Sequence, residues 1–121
     1  MTQADYTGIR CDLFCRVIDN LGDAGVCWRL ARQLAAEHGW TVRMWIDDCH
    51  PLAGLRPGID PAKPRQTIDG VEINHWPGSG FPDVVPGRVV IEAFACDLPP
   101  SFVAAMASCR RPPVWINLEY L

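Results

Sequence analysis

Residues 11–46 read CDLFCRVIDNLGDAGVCWRLARQLAAEHGWTVRMWI and change their hydrophobic period twice. The run Cys11–Ile18 is apolar on both faces, which is typical of a buried parallel strand. From Cys27 onward, apolar residues recur every three or four positions, which predicts an amphipathic helix that ends at Gly39. Residues 40–46 then alternate apolar and polar side chains and predict a second strand. These 36 residues therefore predict a βαβ unit with a right-handed crossover.

The remaining sequence extends this unit into an α/β layered sheet. Residues 47–70 are rich in proline and lack periodicity, which predicts a loop with room for one helical turn near Pro51–Leu55. Further strands are predicted at 71–76, 88–95 and 113–118, a helix at 98–108, and an irregular connection at 77–87. We therefore predict a single Rossmann-like domain over residues 1–121, with a mostly parallel sheet and flanking helices.

Length, charge and cysteine usage exclude several classes of protein. A chain of 121 residues has room for one hydrophobic core. Its net charge of −3, with scattered basic residues, argues against a nucleic-acid or anionic-membrane partner. The polar N-terminus lacks a secretory signal, and no apolar run reaches the roughly 20 residues of a membrane-spanning helix, so we expect a cytoplasmic protein. We expect the six cysteines to be reduced and buried there, and because no CxxC pair occurs we expect no metal site.

The segment between the first strand and the first helix is acidic. It contains Asp19, Asn20, Gly22, Asp23 and Gly25, and it lacks the G-x-G-x-x-G pattern of dinucleotide-binding turns. Two aspartates there would repel a phosphate and attract a cation or a proton donor. In a structural explanation, Asp23 caps the helix and Asp19 forms the turn. In a functional explanation, both carboxylates converge on one basic group, because carboxylates bind a guanidinium in bidentate geometry and can accept a proton.

The same segment resembles a known family. Residues 14–32, FCRVIDNLGDAGVCWRLAR, followed by residues 45–48, WIDD, closely resemble the start of the EarP family, the protein-arginine rhamnosyltransferases that modify translation elongation factor P. Residues 92–99, EAFACDLP, and residues 115–121, WINLEYL, are similar to the next two blocks of that family. The resemblance covers nearly the whole chain, and residues 49–87 match only loosely.

The resemblance implies an inverting GT-B glycosyltransferase with two Rossmann-like domains that face a cleft. Its donor would be dTDP-β-L-rhamnose and its acceptor an arginine of elongation factor P, without a cofactor or metal. This chain would be the acceptor-binding half, and the nucleotide-sugar site would lie in a C-terminal domain absent from it, so we expect the chain alone to be inactive. Asp23 would be the general base and Asp19 would orient the acceptor guanidinium, within an acceptor site formed with Asn20, Gly22 and Gly25.

Two carboxylates suit the chemistry of a guanidinium acceptor. The pKa of a guanidinium lies above about 12, so its nitrogens are poor nucleophiles until a proton leaves. One carboxylate can hold the planar group while the other accepts the proton as nitrogen attacks the sugar carbon. A single displacement of this kind inverts the sugar carbon and needs no covalent sugar-enzyme intermediate.

Three further acidic residues fall at predicted strand ends, where the cleft of an open α/β sheet lies. Glu92 either approaches the cleft or pairs with Arg88 or Arg16. Asp97 either lines the cleft rim or caps the following helix. Glu119 follows the last predicted strand and is a third candidate for the rim.

The sequence leaves a second class of function open. A non-catalytic Rossmann-like module could recognise a basic peptide or protein through the same acidic turn. Because the sequence stops at residues 117–121, where the last predicted strand would lead into its next helix, we favour the N-terminal part of a larger enzyme. In either case Trp28, Arg29 and Arg32 are interpreted as packing and solvated helix surface.

Overall fold

A computed structural model describes residues 8–17 and 21–119 of the chain. Within those ranges the strands are β1 (Arg10–Cys15), β2 (Thr41–Ile46), β3 (Arg65–Ile68), β4 (Val71–His75), β5 (Val89–Ala93) and β6 (Val114–Leu118). The helices there are α1 (Leu21–His38), α2 (His50–Leu55) and α3 (Pro100–Ser108). None of these three helices has the length and apolar character needed to cross a membrane.

The strands form one sheet in the order β3-β4-β2-β1-β5-β6, in which β3 pairs antiparallel with its neighbour and the other pairs are parallel. When the edge strand β3 is set aside and the parallel strands are renumbered along the chain, their order is 3-2-1-4-5, as in a doubly wound Rossmann sheet. The central strand is β1, where Cys11 lies between Val42 of β2 and Val89 of β5. The predicted α/β class and mostly parallel sheet are confirmed.

The two faces of the sheet are covered by separate hydrophobic clusters. On one face, Cys27 and Ala31 of α1 belong to the same cluster as Leu13 of β1. On the other face, the ring of Phe102 in α3 lies edge-on to the ring of Phe14, with centroids 4.8 Å apart. Because both faces are covered, every residue from 11 to 15 is at most 1% exposed, as expected for a strand that is apolar on both sides.

Helix α1 begins earlier than the sequence indicates. The sequence predicts Gly22, Asp23 and Gly25 in a turn before the helix, but all three lie within α1, so that placement and the capping role of Asp23 are wrong. A glycine in a helix costs about 1 kcal/mol relative to alanine, and complete burial of Ala24 against the sheet offsets this cost. Gly25 faces α2, where a Cβ built on it would lie at an ordinary contact distance of 3.8 Å from Leu55 Cδ1.

The loop predicted over residues 47–70 contains the expected helical turn as α2, but it also contains the strand β3, so the prediction is wrong in part. Strands β3 and β4 are joined through Asp69 and Gly70, whose φ angles are 53° and 79°. Two successive positive φ angles are the type I′ hairpin geometry that an Asp-Gly pair favours. The Asp69 carboxylate accepts hydrogen bonds from Arg56 Nε at 2.9 Å and Nη2 at 3.1 Å, which fastens the hairpin to the segment after α2.

Asp12 is a charged residue inside the buried strand β1, with 1% exposure. Its carboxylate forms an ion pair with Arg43 of β2, whose Nη2 donates to Oδ2 at 3.0 Å. It also accepts the indole N–H of Trp45 at 2.9 Å and the backbone N–H of Gly87 at 2.6 Å. The buried charge is therefore well paired, and it fastens the irregular connection 77–87 to the sheet.

Gly87→Ala is expected to lower the free energy of unfolding by about 1–3 kcal/mol. A Cβ at this position would lie 2.6 Å from the Arg10 carbonyl oxygen and 3.1 Å from Asp12 Oδ2. Gly54→Ala is the matched control, because an added Cβ in α2 would have no neighbour within 4 Å and alanine should stabilise the helix by up to about 1 kcal/mol. Urea unfolding measures both variants, and an unchanged midpoint for Gly87→Ala would show that this close approach is not required.

Candidate active site

The candidate site lies at the carboxyl edge of the sheet, between β1 and β5. These strands are neighbours, yet the helices that follow them, α1 and α3, cover opposite faces of the sheet. Such a topological switch point opens a crevice between the two strand-to-helix connections, and ligands of open α/β sheets bind in it. The described parts of these connections are residues 16–17, after β1, and residues 94–99, before α3.

The acidic segment is described only in part. Asp19 and Asn20 lie outside the described residues, so the convergence of Asp19 with Asp23 stays a prediction. Asp23 lies in the first turn of α1 and is 6% exposed, so only a small part of its surface is open to a second molecule. Its backbone carbonyl accepts a long hydrogen bond from Cys15 Sγ at 3.7 Å, which ties the start of α1 to the end of β1. A carboxylate in this position is favoured by the positive end of the helix dipole.

Asp47, which the sequence did not identify as a site residue, fixes the end of β1. It follows β2, and its Oδ1 accepts the backbone N–H of Val17 at 2.8 Å. Val17 is 2% exposed, so this N–H has little access to solvent and depends on the carboxylate for an acceptor. Asp47 Oδ2 is buried and has no hydrogen-bond partner within the described part of the chain. The sequence did contain a signal for this contact. Asp47 follows the second predicted strand, and the carboxyl ends of neighbouring parallel strands lie at the same edge of the sheet.

Of the three acidic residues expected at the cleft rim, the structure brings Glu92 and Asp97 together. Glu92 is 8% exposed, and its Oε2 accepts the backbone N–H of Asp97 at 2.9 Å. Its Oε1 accepts the indole N–H of Trp115 at 3.1 Å. The capping interpretation of Asp97 is wrong, because Pro99 occupies the cap position of α3. Glu119 is exposed after β6, one strand further from β1.

A groove of about 590 Å³ lies beside the crevice. Its walls come from residues 76–81 and 97–101, with Arg16 at the end of β1. The Arg16 guanidinium lies 4.5 Å from the centre of the Trp76 ring, so it stacks on an aromatic face. The Glu92 carboxylate, which the sequence offered as a partner for Arg16, accepts its hydrogen bonds from N–H groups of Asp97 and Trp115. Asp97 is exposed and lines the groove. The groove thus combines aromatic surface with one carboxylate and one guanidinium.

Two buried thiols at this edge are poor nucleophiles. A hydrogen bond with Cys27, then burial and the charge of Asp23, raise the pKa of Cys15 well above its ordinary value. Burial, with the charge of Glu92, raises the pKa of Cys96 to about 12. Both thiols therefore stay protonated near neutral pH, which disfavours covalent catalysis through either one. All six cysteines are free, and five of them are buried as expected, whereas Cys109 is half-buried. Among residues 8–17 and 21–119 no three His, Cys, Asp or Glu side chains are grouped to hold a metal ion.

Comparison with known proteins gives a consistent result. The family model described as "Elongation-Factor P (EF-P) rhamnosyltransferase EarP" matches residues 11–121. The chain is 53% identical over 110 residues to a protein-arginine rhamnosyltransferase of Pseudomonas putida, and to one of Pseudomonas aeruginosa, each match covering 91% of this chain and 29% of the relative. It is 42% identical over 115 residues to a protein-arginine rhamnosyltransferase of Shewanella oneidensis, with the same two coverages. The chain therefore spans 29% of the length of these curated relatives.

Asp47→Ala is expected to lower the free energy of unfolding by about 1–3 kcal/mol, because the buried Val17 N–H loses its acceptor. Asp48→Ala is the matched control. The Asp48 carboxylate is exposed and accepts hydrogen bonds from exposed His50, so its loss should cost less than about 1 kcal/mol. Urea unfolding compares the two variants, and a greater loss for Asp48→Ala would contradict the role assigned to Asp47.

The fold is expected to lose stability in alkaline solution. Burial raises the pKa of Cys11 and of Cys96 from 9.0 to about 12. A raised pKa in the folded state stabilises it fully below the unfolded value of 9.0, and this contribution is lost as the pH rises toward 12. The urea midpoint measured at about pH 10 should therefore be lower than the midpoint measured at about pH 8. The difference between the two should be smaller in Cys96→Ala. Identical pH dependence in the variant and the wild type would show that Cys96 does not contribute.

Proposed function

The chain belongs to the EarP family, and we propose that its protein transfers rhamnose from dTDP-β-L-rhamnose to an arginine of translation elongation factor P. The observation that carries this proposal is the family match over residues 11–121, which includes the acidic segment and both connections that flank the crevice. The relatives from Pseudomonas putida and Pseudomonas aeruginosa, each 53% identical to this chain, are named protein-arginine rhamnosyltransferases. The reaction class follows from those names, and the acceptor is the one that the family description carries.

We assign the acceptor side of this reaction to the present chain. The crevice at the switch point lies next to an acidic segment instead of a glycine-rich phosphate loop, so a sugar diphosphate would be repelled where an arginine would be attracted. The relatives are more than three times as long as the matched region, which leaves room for a second domain that holds the nucleotide-sugar. This division corresponds to a GT-B enzyme with its donor site in the C-terminal half.

In this proposal Asp23 is the general base and Asp19 orients the acceptor guanidinium beside Asn20, Gly22 and Gly25. A guanidinium nitrogen attacks the anomeric carbon as the bond from that carbon to the diphosphate oxygen breaks. The nitrogen proton passes to the Asp23 carboxylate, and dTDP leaves with the electron pair of the broken bond. Asp23 is suited to this role by its place in the first turn of α1 and by the hydrogen bond from Cys15 that fixes that turn. The protonated state of Cys15 favours direct displacement over a thiol-bound sugar.

Asp23→Asn in the full-length protein is expected to lower kcat by about 10²–10⁴-fold, which is the usual contribution of a general base. Glu37→Gln is the matched control on the same helix, because Glu37 is exposed near the far end of α1 and should not affect turnover. The assay follows, by mass spectrometry, the addition of one deoxyhexose to elongation factor P in the presence of dTDP-β-L-rhamnose.

The same assay separates the enzyme from the alternative function. Near wild-type turnover by Asp23→Asn would remove Asp23 as the base while leaving the enzyme assignment intact. Binding of elongation factor P by the full-length wild type, without any gain in acceptor mass, would favour a non-catalytic module that recognises a basic protein. Sugar transfer by residues 1–121 alone would contradict the assignment of the donor site to the remainder of the protein.

A further inference from the structure

The connection between β5 and α3 contains backbone strain at residues other than glycine. Phe94, Ala95 and Asp97 have φ angles of 53°, 54° and 61°. Residues with a Cβ rarely adopt this left-handed region, and three of them within four positions is unusual. Strained backbone of this kind persists where the surrounding structure holds it, and it is concentrated at binding and catalytic sites.

Hydrogen bonds with β5 and β6 hold this connection. The backbone N–H of Phe94 donates to the Leu118 carbonyl of β6 at 2.6 Å. The Glu92 carboxylate accepts the N–H of Asp97 at 2.9 Å and the indole N–H of Trp115 at 3.1 Å. Because Glu92 is 8% exposed, its charge is poorly screened and its hydrogen bonds are charge-assisted. The carboxylate thus stabilises the strained end of the connection.

The strained connection also lies beside the proposed acceptor site. Glu92 is paired in register with Phe14 of β1, and the acidic segment begins shortly after that strand. Asp97 is exposed and lines the groove next to the crevice, whereas Glu92 is buried beneath the connection. Asp97 is therefore accessible to a ligand, whereas Glu92 contacts the backbone of Asp97 and lies outside the groove lining.

We propose that Glu92 is a positioning residue for acceptor binding, which holds the strained residues 94–97 so that the Asp97 carboxylate meets a cationic side chain of the acceptor protein. This inference rests on the proposed function. The Asp97 carboxylate attracts a guanidinium or ammonium group, while the Arg16 guanidinium of the same groove is stacked on the Trp76 ring. The donor site is assigned to the remainder of the protein. The effect of Glu92 should accordingly fall on acceptor affinity and leave donor affinity unchanged.

The primary test is Glu92→Gln in the full-length protein. The amide keeps the size of the side chain but replaces one acceptor oxygen by an N–H donor, so one of the two hydrogen bonds is lost. The KM for the acceptor protein should rise about tenfold, as expected for the loss of one charge-assisted hydrogen bond. The kcat and the donor KM should stay within about twofold of the wild type. Glu72→Gln is the matched control, because this half-buried carboxylate of β4 accepts a hydrogen bond from Asn74 and lies outside the groove lining.

A second substitution tests whether Glu92 acts by holding the backbone. Glycine adopts a φ near 54° without strain, and Ala95 is exposed, so Ala95→Gly should remove strain without removing buried packing. Combined with Glu92→Gln, it should bring the acceptor KM back to within about threefold of the wild type. The single Ala95→Gly variant completes the double-mutant cycle. Asp97→Asn should raise the acceptor KM to a similar extent while leaving the unfolding midpoint unchanged.

Each alternative outcome has a defined meaning. An unchanged acceptor KM in Glu92→Gln and Asp97→Asn, or an effect on the donor KM instead, overturns the proposal. Failure of Ala95→Gly to restore the KM overturns the positioning role. If Glu92→Gln does not fold, Asp97→Asn decides, because it leaves the backbone hydrogen bonds in place. Acceptor binding is also measured by calorimetry. If the wild type binds the acceptor but transfers no sugar, only the proposed function is wrong, and the variants are then compared by their Kd for the acceptor. If the wild type binds no acceptor, the proposed function and the role of Glu92 are both wrong.

Discussion

The ion pair between Asp12 and Arg43 is the interaction on which the arrangement of the domain depends. A carboxylate in the middle of a buried strand is unfavourable unless donors surround it, and here they come from β2 and from the connection that precedes β5. Because Gly87 donates to the same carboxylate, residues 77–87 lie against the sheet without forming a helix or strand of their own. That placement brings Phe81 over the rings of Phe14 and Trp45, at centroid distances of 5.8 Å and 4.7 Å, and completes the cluster on the α3 face.

The same kind of contact recurs at two irregular segments near the crevice. Three acidic side chains each accept a backbone N–H of a segment that has no strand or helix partner for it. Asp12 accepts that of Gly87, Asp47 that of Val17, and Glu92 that of Asp97. An ionised carboxylate has two oxygens and can accept hydrogen bonds from several directions. One such side chain can therefore hold an irregular backbone segment that makes no regular strand or helix hydrogen bonds. Some of the acidic residues that make the chain negatively charged are therefore buried and have a structural role.

Much of the fold could be predicted because its signals are local. The central strand, the crossover helix and the second strand follow from the hydrophobic period of residues 11–46, and each of them is present. The start of α1 was misjudged because glycine and aspartate are typical of turns, whereas burial of Ala24 favours a helix there. Strand β3 was missed because its residues are exposed or half-buried and lack the alternation of a buried strand, although the Asp69-Gly70 pair was a hairpin signal.

The edge of the sheet that carries the candidate site was easier to predict than the hydrogen-bond partners of its residues. The ends of parallel strands meet at one edge of a sheet, which is why acidic residues after strands could be assigned to a common rim. The partners of those residues could not be assigned, because Asp12 and Gly87 are 75 positions apart and Asp47 and Val17 are 30 apart. One of the two interpretations of Glu92 paired it with Arg88 or Arg16, yet an indole and a backbone amide donate to its carboxylate. Such pairings depend on strand order and register, which no local pattern encodes.

Phe14 links both walls of the groove to the centre of the sheet. Its ring contacts Trp76 and Phe81 on one wall, and its carbonyl accepts the thiol of Cys96 at 3.5 Å on the other. Neither wall can shift without disturbing this one residue, which is completely buried. These contacts fix the width of the groove in the domain by itself. In the proposed complex with an acceptor protein, this domain would therefore reorganise little and lose little conformational entropy, and most of the adaptation would occur in the acceptor.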